Sequence, residues 1–288
     1  MIEDGLAARL RKLPEGRAWL DRLPGIIDGC VERWSLTLGD PFAGAQASLA
    51  FPAERGDGER LVLKIQCPDR ESAQEAAALE HWGGVTAVRL VDHDAERRAL
   101  LLERCEPGAH LSALDPHEAL GVVIDLLPRS WILAREPFRP LSEEAADLSR
   151  ELRSDWDRTG RSVEARLIQG AIEAFADLSA TQGEQVLVNQ DLHADNVVSA
   201  RREPWLVIDP KPLAGEREFG VAAIIRGREL GHSRDAVIGR LDRVSGELGL
   251  DRERVRLWTM AHTEAWGFDD DGPMAVHLET ARWLLEAS

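Results

Sequence analysis

This chain of 288 residues has only three cysteines, no long apolar runs and no excess of basic over acidic residues. Cys30, Cys67 and Cys105 are scattered and form no CxxC pair, which argues against a disulfide framework or a zinc site and fits a reducing compartment. No apolar run reaches the roughly 20 residues that span a bilayer. The start, MIEDGLAARLRKL, contains no apolar signal segment. We therefore expect a cytoplasmic protein without a membrane partner.

The charge balance is acidic, because 51 Asp and Glu residues face 35 Lys and Arg residues, for a net charge of −16. Nucleic-acid phosphates bind basic surfaces, so this balance argues against a nucleic-acid partner. An acidic cleft would attract a small cationic substrate, although acidity can also serve solubility alone. The length and the hydrophobic content of 44% suit two lobes with their own cores. We expect a monomer or a weak dimer.

The pattern of apolar residues changes near residue 34 and again after Glu106-Pro107-Gly108. The first 35 residues have helical periodicity, with breaks expected at Pro14 and Pro24. Short β-type runs with turns then predict strands at 35–38, 47–51, 61–65, 87–92 and 99–103, and a helix at 71–82. The rest predicts helices at 117–127, 142–156, 164–181, 233–247, 252–266 and 274–286, interrupted by a hairpin of strands at 185–189 and 197–208. This is an α+β fold, with an antiparallel β-sheet N-lobe carrying one main helix (1–104) and a mainly helical C-lobe (105–288).

Two aspartates and an asparagine follow the predicted strands of this hairpin at a spacing that fits phosphoryl transfer. Asp191 precedes Asn196 by five residues, and Asp209 ends the next apolar run. Phosphoryl transfer uses one carboxylate to orient a hydroxyl, and an amide and a second carboxylate to hold Mg²⁺. Asp and Asn are also common in surface turns, which is the alternative interpretation.

The segment VLVNQDLHADNVVSARREPWLVIDPK resembles the catalytic and metal-binding loops of the kinase-like aminoglycoside phosphotransferases. Its end, EPWLVIDPKPLAG, resembles the streptomycin and hydroxyurea phosphotransferase branch of that family. The resemblance implies a protein-kinase-like bilobal fold, with Asp191 as the catalytic residue and Asn196 and Asp209 as metal ligands. It also implies a resistance enzyme that uses ATP (or GTP) and Mg²⁺ to phosphorylate a hydroxyl of an aminoglycoside, streptomycin at its 6-position above all. The alternatives are a kinase of another small molecule with the same fold, or a non-catalytic nucleotide-binding protein.

Lys64 ends an apolar strand, where a lone charge is costly to bury unless it is paired. The resemblance implies that it contacts the nucleotide phosphates and pairs with Glu75 of the following helix. Glu71 and Glu80 are alternative partners. A lysine that guards a sheet edge against aggregation is the other interpretation.

Further nucleotide contacts are implied by the resemblance. The turn at 39–48 would lie over the triphosphate, with Gly44 and Ser48 as contributors, although it contains no GxGxxG pattern. The backbone of Glu103 and Cys105, at the end of the run LLLER, would bind the base.

Substrate contacts are expected from acids and an indole near residue 265. Carboxylates bind ammonium and guanidinium groups, and indoles stack on them. The candidates are Glu264, Trp266, Asp269, Asp270 and Asp271. A solvated acidic loop is the alternative interpretation, and the acidic helix at 143–157 offers further candidates.

The sequence departs from the family pattern at two places around the catalytic loop. Asn189-Gln190 replace a His-Gly pair, and Phe219-Gly220 replace a Phe-Asp pair. Since both pairs brace the same loop in the family, we hypothesise that the two changes compensate each other. Lys211 is open to two interpretations, either near the phosphates or as a surface lysine in a Pro-rich turn.

Overall fold

The computed structural model describes residues 7, 10, 11, 14–43 and 48–287. It divides into two compact units. The first takes in the described residues up to Gly108 and the segment Ala200–Leu206, and the second comprises Ala109–Ser199 and the chain from Val207 onward. The division falls four residues after the predicted boundary between residues 104 and 105, and the return of 200–206 to the first unit was not predicted.

Helix α1, Pro14–Trp34, opens the first unit and continues through Pro24. The break predicted at Pro24 is therefore wrong. A proline inside a helix costs roughly 3 kcal/mol, because it removes one hydrogen bond and crowds the preceding turn. Burial of the apolar side of α1 in the core of the unit offsets this cost; the buried residues of that side are Trp19, Leu23, Cys30 and Trp34.

The first unit is built on a five-stranded antiparallel sheet, as predicted. Its strands are β1 (Leu36–Leu38), β2 (Ser48–Arg55), β3 (Arg60–Gln66), β4 (Leu90–Asp94) and β5 (Ala99–Glu103). They lie in the order β1-β2-β3-β5-β4. Helix α2, Glu75–Trp82, lies between β3 and β4 in the chain and begins four residues later than predicted.

The second unit is mainly helical. Its helices are α3 (Pro116–Ser130), α4 (Leu141–Arg158), α5 (Ala165–Ala180), α6 (Ala222–Arg226), α7 (Arg234–Leu248), α8 (Arg252–Ala265) and α9 (Ala275–Leu285). Its core surrounds α8, where the buried Trp258 packs against Phe175 and Phe219 at centroid distances of 6.1 and 5.3 Å. This packing fixes the end of α8, from which His262 and Trp266 project.

The strands that carry the candidate acids pair differently from the prediction. Strand β6, Val186–Asn189, pairs with β9, Pro212–Gly215, in an antiparallel register that places Asn189 opposite Pro212. The predicted strand at 197–208 is instead two short strands, β7 (Val197–Ser199) and β8 (Trp205–Val207). The predicted hairpin of 185–189 with 197–208 is thus corrected, and the observed pairing brings residues 190 and 211 side by side.

Candidate active site

The backbone on both sides of Asp191 is fixed by the side chain of Asn189. Asn189 is 7% exposed, and its Oδ1 accepts hydrogen bonds from the N–H groups of Asp191 (3.0 Å) and Lys211 (2.9 Å). The N–H of Gln190 donates to the carbonyl oxygen of Lys211 at 3.0 Å. A single buried amide oxygen therefore braces the candidate catalytic residue and Lys211 together, in the position where the family pattern has histidine.

The loop from Asp191 to Asn196 is closed by further hydrogen bonds. The N–H of Ala194 donates to Glu229 Oε1 at 2.9 Å, and Asn196 Nδ2 donates to the carbonyl oxygen of Asp191 at 3.1 Å. Sequence reasoning missed Glu229, because nothing in the chain around Arg228–Leu230 resembles a known loop-bracing motif. Since the amide nitrogen of Asn196 faces the loop, its Oδ1 is the atom that can bind a cation.

Asp209 lies next to Asn196 through a backbone contact. The N–H of Ile208 donates to the carbonyl oxygen of Asn196 at 2.9 Å. Asp209 itself has a φ of 50°, a left-handed conformation that is uncommon for residues other than glycine and recurs at functional sites. The fold thus sets an amide and a carboxylate at neighbouring positions of two paired segments.

The side chains of Asn196 and Asp209 suit a Mg²⁺ site with few protein ligands better than a metal site whose ligands all come from the protein. Within the described part of the chain, no group of three or more His, Cys, Asp or Glu residues could hold a metal ion. Mg²⁺ is commonly bound by one or two protein oxygens, while phosphates and water complete its shell. The side chains of Asn196 and Asp209 carry oxygen atoms of that type, and their role as metal ligands stays a prediction.

Two cations and a histidine ring nitrogen lie near the carboxylate of Asp191. Lys211 Nζ lies 3.2 Å from Oδ2, while an Arg226 guanidinium nitrogen and His193 Nε2 lie 3.9 and 3.8 Å from Oδ1. The side chains of Asp191 and Lys211 are only 14% and 17% exposed. This geometry rules against the interpretation of Lys211 as an ordinary surface lysine.

The ring of Trp266 is covered by side chains of the protein itself. Arg226 Cζ lies 4.4 Å and Lys211 Nζ 5.0 Å from its centroid, and the His262 ring lies at 4.6 Å. His262 is fully buried, and this burial, with Arg226 nearby, lowers its pKa well below the usual value. The half-buried indole thus already contacts two cations of the protein, and its role as a substrate contact stays a prediction.

The other predicted substrate residues divide into buried and exposed groups. Glu264 is 0% exposed, and neither carboxylate oxygen has a hydrogen-bond partner among the described residues. Burial raises its pKa to about 7. Glu264 therefore lies in the interior of the second unit, and its role as a substrate contact stays a prediction.

By contrast, Asp269, Asp270 and Asp271 are exposed on the hairpin of β10 (Phe268–Asp269) and β11 (Gly272–Pro273). Asp269 Oδ1 accepts the N–H groups of Asp271 and Gly272 at 2.9 and 3.0 Å, which orders the turn. These three carboxylates remain candidates for a cationic substrate.

The first unit contains the ion pair that the sequence predicts. Lys64 Nζ donates to both carboxylate oxygens of Glu75 at 2.6 Å, and Gln66 Nε2 donates to Glu75 Oε2 at 2.7 Å. Lys64 is 5% and Glu75 0% exposed, so the pair is buried. A buried lysine ammonium held by a helix carboxylate is the arrangement that a phosphate-binding lysine requires.

The predicted base-binding strand end is held by an arginine that the sequence did not reveal. Arg202 Nε donates to Glu103 Oε2 at 3.1 Å, and Arg202 also donates to the carbonyl oxygen of Ala87 at 3.3 Å. The carboxylate of Glu103 also accepts the N–H of Arg89 at 2.9 Å. The side chain of Glu103 is thus occupied by protein contacts, and its backbone N–H donates to the carbonyl oxygen of Arg89 at 3.0 Å. Binding of the base by the backbone of Glu103 and Cys105 stays a prediction.

The remaining nucleotide candidates are less constrained. Burial raises the pKa of the Cys105 thiol to about 11, so Cys105 is no reactive thiolate. Ser48 is half-buried at the start of β2, and Gly44 lies outside the described residues.

Gly220, the second departure from the family pattern, lies against the strand that leads to Asp191. A Cβ at this position would lie 3.1 Å from Val188 Cγ1 and 3.4 Å from Trp131 Nε1. An aspartate would therefore require Val188 to shift. Whether Gly220 and Asn189 compensate each other stays a hypothesis.

Comparison with known sequences gives a family match over most of the chain. Residues 33–272 match the family of aminoglycoside/hydroxyurea antibiotic resistance kinases. A hydroxyurea phosphotransferase of Kitasatospora aureofaciens is 40% identical over 250 residues, which cover 85% of this chain and 72% of that protein. A streptomycin 6-kinase of Streptomyces griseus is 37% identical over 281 residues, which cover 93% of this chain and 91% of that protein.

Solved structures with low sequence identity share the fold. A choline kinase, LicA, from Streptococcus pneumoniae matches with a TM-score of 0.68 at 13% identity, covering 92% of this chain and 99% of its own. An aminoglycoside phosphotransferase, APH(4)-Ia, solved as a ternary complex with ADP and hygromycin B, matches with a TM-score of 0.62 at 15% identity, covering 91% and 98%. These matches confirm the predicted fold class, which is α+β and protein-kinase-like.

Proposed function

Because the chain belongs to the family of aminoglycoside/hydroxyurea antibiotic resistance kinases, we propose that it transfers the γ-phosphoryl group of ATP to the 6-hydroxyl of streptomycin. The protein is a small-molecule kinase. The observation that carries the proposal is the loop in which Asn189 and Asn196 fix Asp191 beside the candidate metal ligands. Similarity to streptomycin 6-kinases over 93% of the chain supports the acceptor.

In this reaction Asp191 orients the acceptor hydroxyl and takes its proton. The hydroxyl oxygen forms a bond to the γ-phosphorus, the bond from that phosphorus to the β,γ-bridging oxygen breaks, and the electron pair leaves with ADP. Lys64, held by Glu75, would contact the phosphates of ATP. Asn196 and Asp209 would hold Mg²⁺, which neutralises charge on the phosphates when it is bound.

The substrate is cationic on this proposal. Streptomycin carries guanidinium groups, and the exposed carboxylates of Asp269, Asp270 and Asp271 could bind them through charge-assisted hydrogen bonds. The net charge of −16 would also favour the approach of a cation. We propose a role for this chain in resistance to the antibiotic. No helix among the described residues has the length and apolar character needed to cross a membrane.

A second acceptor, hydroxyurea, is favoured by one specific observation. The hydroxyurea phosphotransferase shows 40% identity, against 37% for the streptomycin 6-kinase, although over a smaller share of its length. Hydroxyurea is small and uncharged, so the carboxylates at 269–271 would contribute nothing to its binding.

An acceptor panel separates the two functions. We would measure Mg²⁺-dependent ADP release with ATP and with GTP, in the presence of streptomycin, other aminoglycosides or hydroxyurea, and locate the new phosphate ester by phosphorus NMR. The triple variant Asp269→Asn, Asp270→Asn, Asp271→Asn should raise KM for streptomycin and leave KM for ATP unchanged. Turnover with hydroxyurea alone would contradict the aminoglycoside proposal and establish the second function.

A further inference from the structure

Two cations, Lys211 and Arg226, meet at both Asp191 and Trp266. Lys211 Nζ is 3.2 Å from the Asp191 carboxylate and 5.0 Å from the Trp266 ring centroid. Arg226 lies 3.9 Å from the same carboxylate and 4.4 Å from the same ring. Cations are attracted to the face of an indole, and the attraction strengthens when water is excluded. The indole and the carboxylate together therefore define where both positive charges lie.

The position of Lys211 is further set by its backbone. Its N–H donates to Asn189 Oδ1 and its carbonyl oxygen accepts the N–H of Gln190, at 2.9 and 3.0 Å. It also follows Asp209, a candidate Mg²⁺ ligand, by two residues. The ammonium therefore lies beside the residue that would orient the hydroxyl, and it belongs to the segment that carries a candidate metal ligand.

Arg226 is engaged on its other side. It ends α6, and its guanidinium NH1 donates to His262 Nδ1 at 2.7 Å. His262 is neutral, because burial and the nearby cations lower its pKa, so its Nδ1 can accept this bond. Arg226 is thus tied to the core of the second unit through α8, which suits a supporting role better than a mobile one.

We propose that Lys211 is a further catalytic residue of the phosphoryl transfer, and that Trp266 and Arg226 are positioning residues that hold its ammonium beside Asp191. This inference rests on the proposed function. In the transition state, negative charge spreads over the equatorial oxygens of the transferred group, and a fixed cation at that place lowers the barrier. Lys211 makes and breaks no covalent bond; the hydroxyl proton still passes to Asp191.

On this proposal, Trp266 positions Lys211 and does not stack on the substrate. Its ring holds two cations of the protein and contacts His262. Loss of the ring should therefore act on the rate of transfer, through Lys211, rather than on the affinity for the acceptor.

The test separates transition-state binding from ground-state binding. Lys211→Met removes the charge and keeps the length of the side chain, while Lys211→Arg restores a charge. Trp266→Leu removes the aromatic face and Trp266→Phe retains part of it. Trp156→Leu is the matched control, because Trp156 also stacks on a cation, Arg161, at 5.0 Å, and no contact links that pair to Asp191 among the described residues.

For each variant we would measure kcat and KM with streptomycin, the Kd of ADP with Mg²⁺ by calorimetry, and the Kd of ADP with Mg²⁺ and fluoroaluminate, a mimic of the transferred phosphoryl group. Lys211→Met should lower kcat by roughly 100-fold and weaken the fluoroaluminate complex similarly, with the Kd of ADP within about threefold of wild type. Trp266→Leu should lower kcat by about 10-fold, Trp266→Phe and Lys211→Arg by less, and Trp156→Leu should leave kcat unchanged.

Two results would overturn the proposal. One is a Lys211→Met variant that binds fluoroaluminate as tightly as wild type. The other is equal weakening of ADP and fluoroaluminate binding, which would make Lys211 a ground-state contact. Failure of the proposed function can be distinguished from failure of the proposal for Lys211. In the first case, wild-type protein would show no turnover of streptomycin. The fluoroaluminate comparison needs no acceptor, because water replaces it, and would still report on Lys211.

Discussion

Replacement of Glu264 by glutamine should stabilise the folded protein at pH above 7 and have a much smaller effect near pH 5. Glu264 is fully buried on α8, and no hydrogen-bond partner of its carboxylate oxygens is present among the described residues. Burial raises its pKa from 4.5 to about 7. Glutamine has nearly the same shape and never ionises, so it removes the cost of charging this site.

The size of the effect follows from the difference between the two pKa values. Between pH 4.5 and about 7 the folded state binds more protons at Glu264 than the unfolded state does, so stability falls as pH rises through this window. A difference of about 2.5 pKa units corresponds to about 3 kcal/mol once pH exceeds the folded pKa. For a protein of this size each kcal/mol moves Tm by about 2–4 °C, so most of a shift of about 6–12 °C should develop between pH 5 and pH 8.5.

The assay is thermal unfolding of wild type and Glu264→Gln across this pH range. Any cost of burying the amide is independent of pH and cancels when the Tm difference at two pH values is compared. Glu164→Gln is the control, because the hydrogen bond and ion pair with Arg282 lower the pKa of Glu164. The stability that this lowered pKa gives is complete above pH 4.5, so the Tm difference of the control should not grow between pH 5 and pH 8.5. A Tm difference for Glu264→Gln that does not grow with pH would refute the reasoning and show that Glu264 keeps an ordinary pKa.

Three further predictions concern residues of the first unit and of the second unit. Lys64→Met should cost roughly 3 kcal/mol by leaving the buried Glu75 without its cation, and Lys64→Met with Glu75→Met should recover stability in chemical denaturation but not the affinity for ADP. Asn189→Ala should remove the acceptor of two N–H groups, cost about 1–3 kcal/mol and lower kcat, whereas unchanged kcat would show that the loop is braced elsewhere. Arg202→Met should release Glu103 and weaken ADP binding in calorimetry, and an unaltered Kd would exclude a role for this contact in base binding.

The sheet of the first unit could be predicted from the chain because it depends on local patterns, whereas Glu75 as the partner of Lys64 was implied by the resemblance to the kinase family. Turn residues separate short β-type runs, and a lysine at the end of an apolar strand requires a carboxylate nearby. Of the three candidate carboxylates, Glu71, Glu75 and Glu80, it is Glu75 that forms the ion pair with Lys64. The helices of the second unit follow for the same reason, since each repeats its apolar residues at helical spacing.

Features that depend on tertiary packing were not predictable in this way. Helix α1 continues through Pro24, although proline disfavours a helix interior, because burial of one side of α1 stabilises it. β9 has a Pro-Leu-Ala-Gly sequence with no strand signature, yet it pairs with β6 and places Lys211 beside Asp191. The burial of Glu264 was equally hidden, because a carboxylate next to an indole in sequence favours a binding surface over a helix interior.

The most direct test of the account is transfer of labelled γ-phosphate from ATP to streptomycin by wild type and by Asp191→Asn, each with Mg²⁺. We expect labelled streptomycin with wild type and a loss of several orders of magnitude with the variant, whose ADP affinity stays near that of wild type. Transfer by Asp191→Asn at a rate near that of wild type would contradict the assignment of Asp191. Absence of labelled streptomycin with wild-type protein that binds ADP would contradict the proposed acceptor.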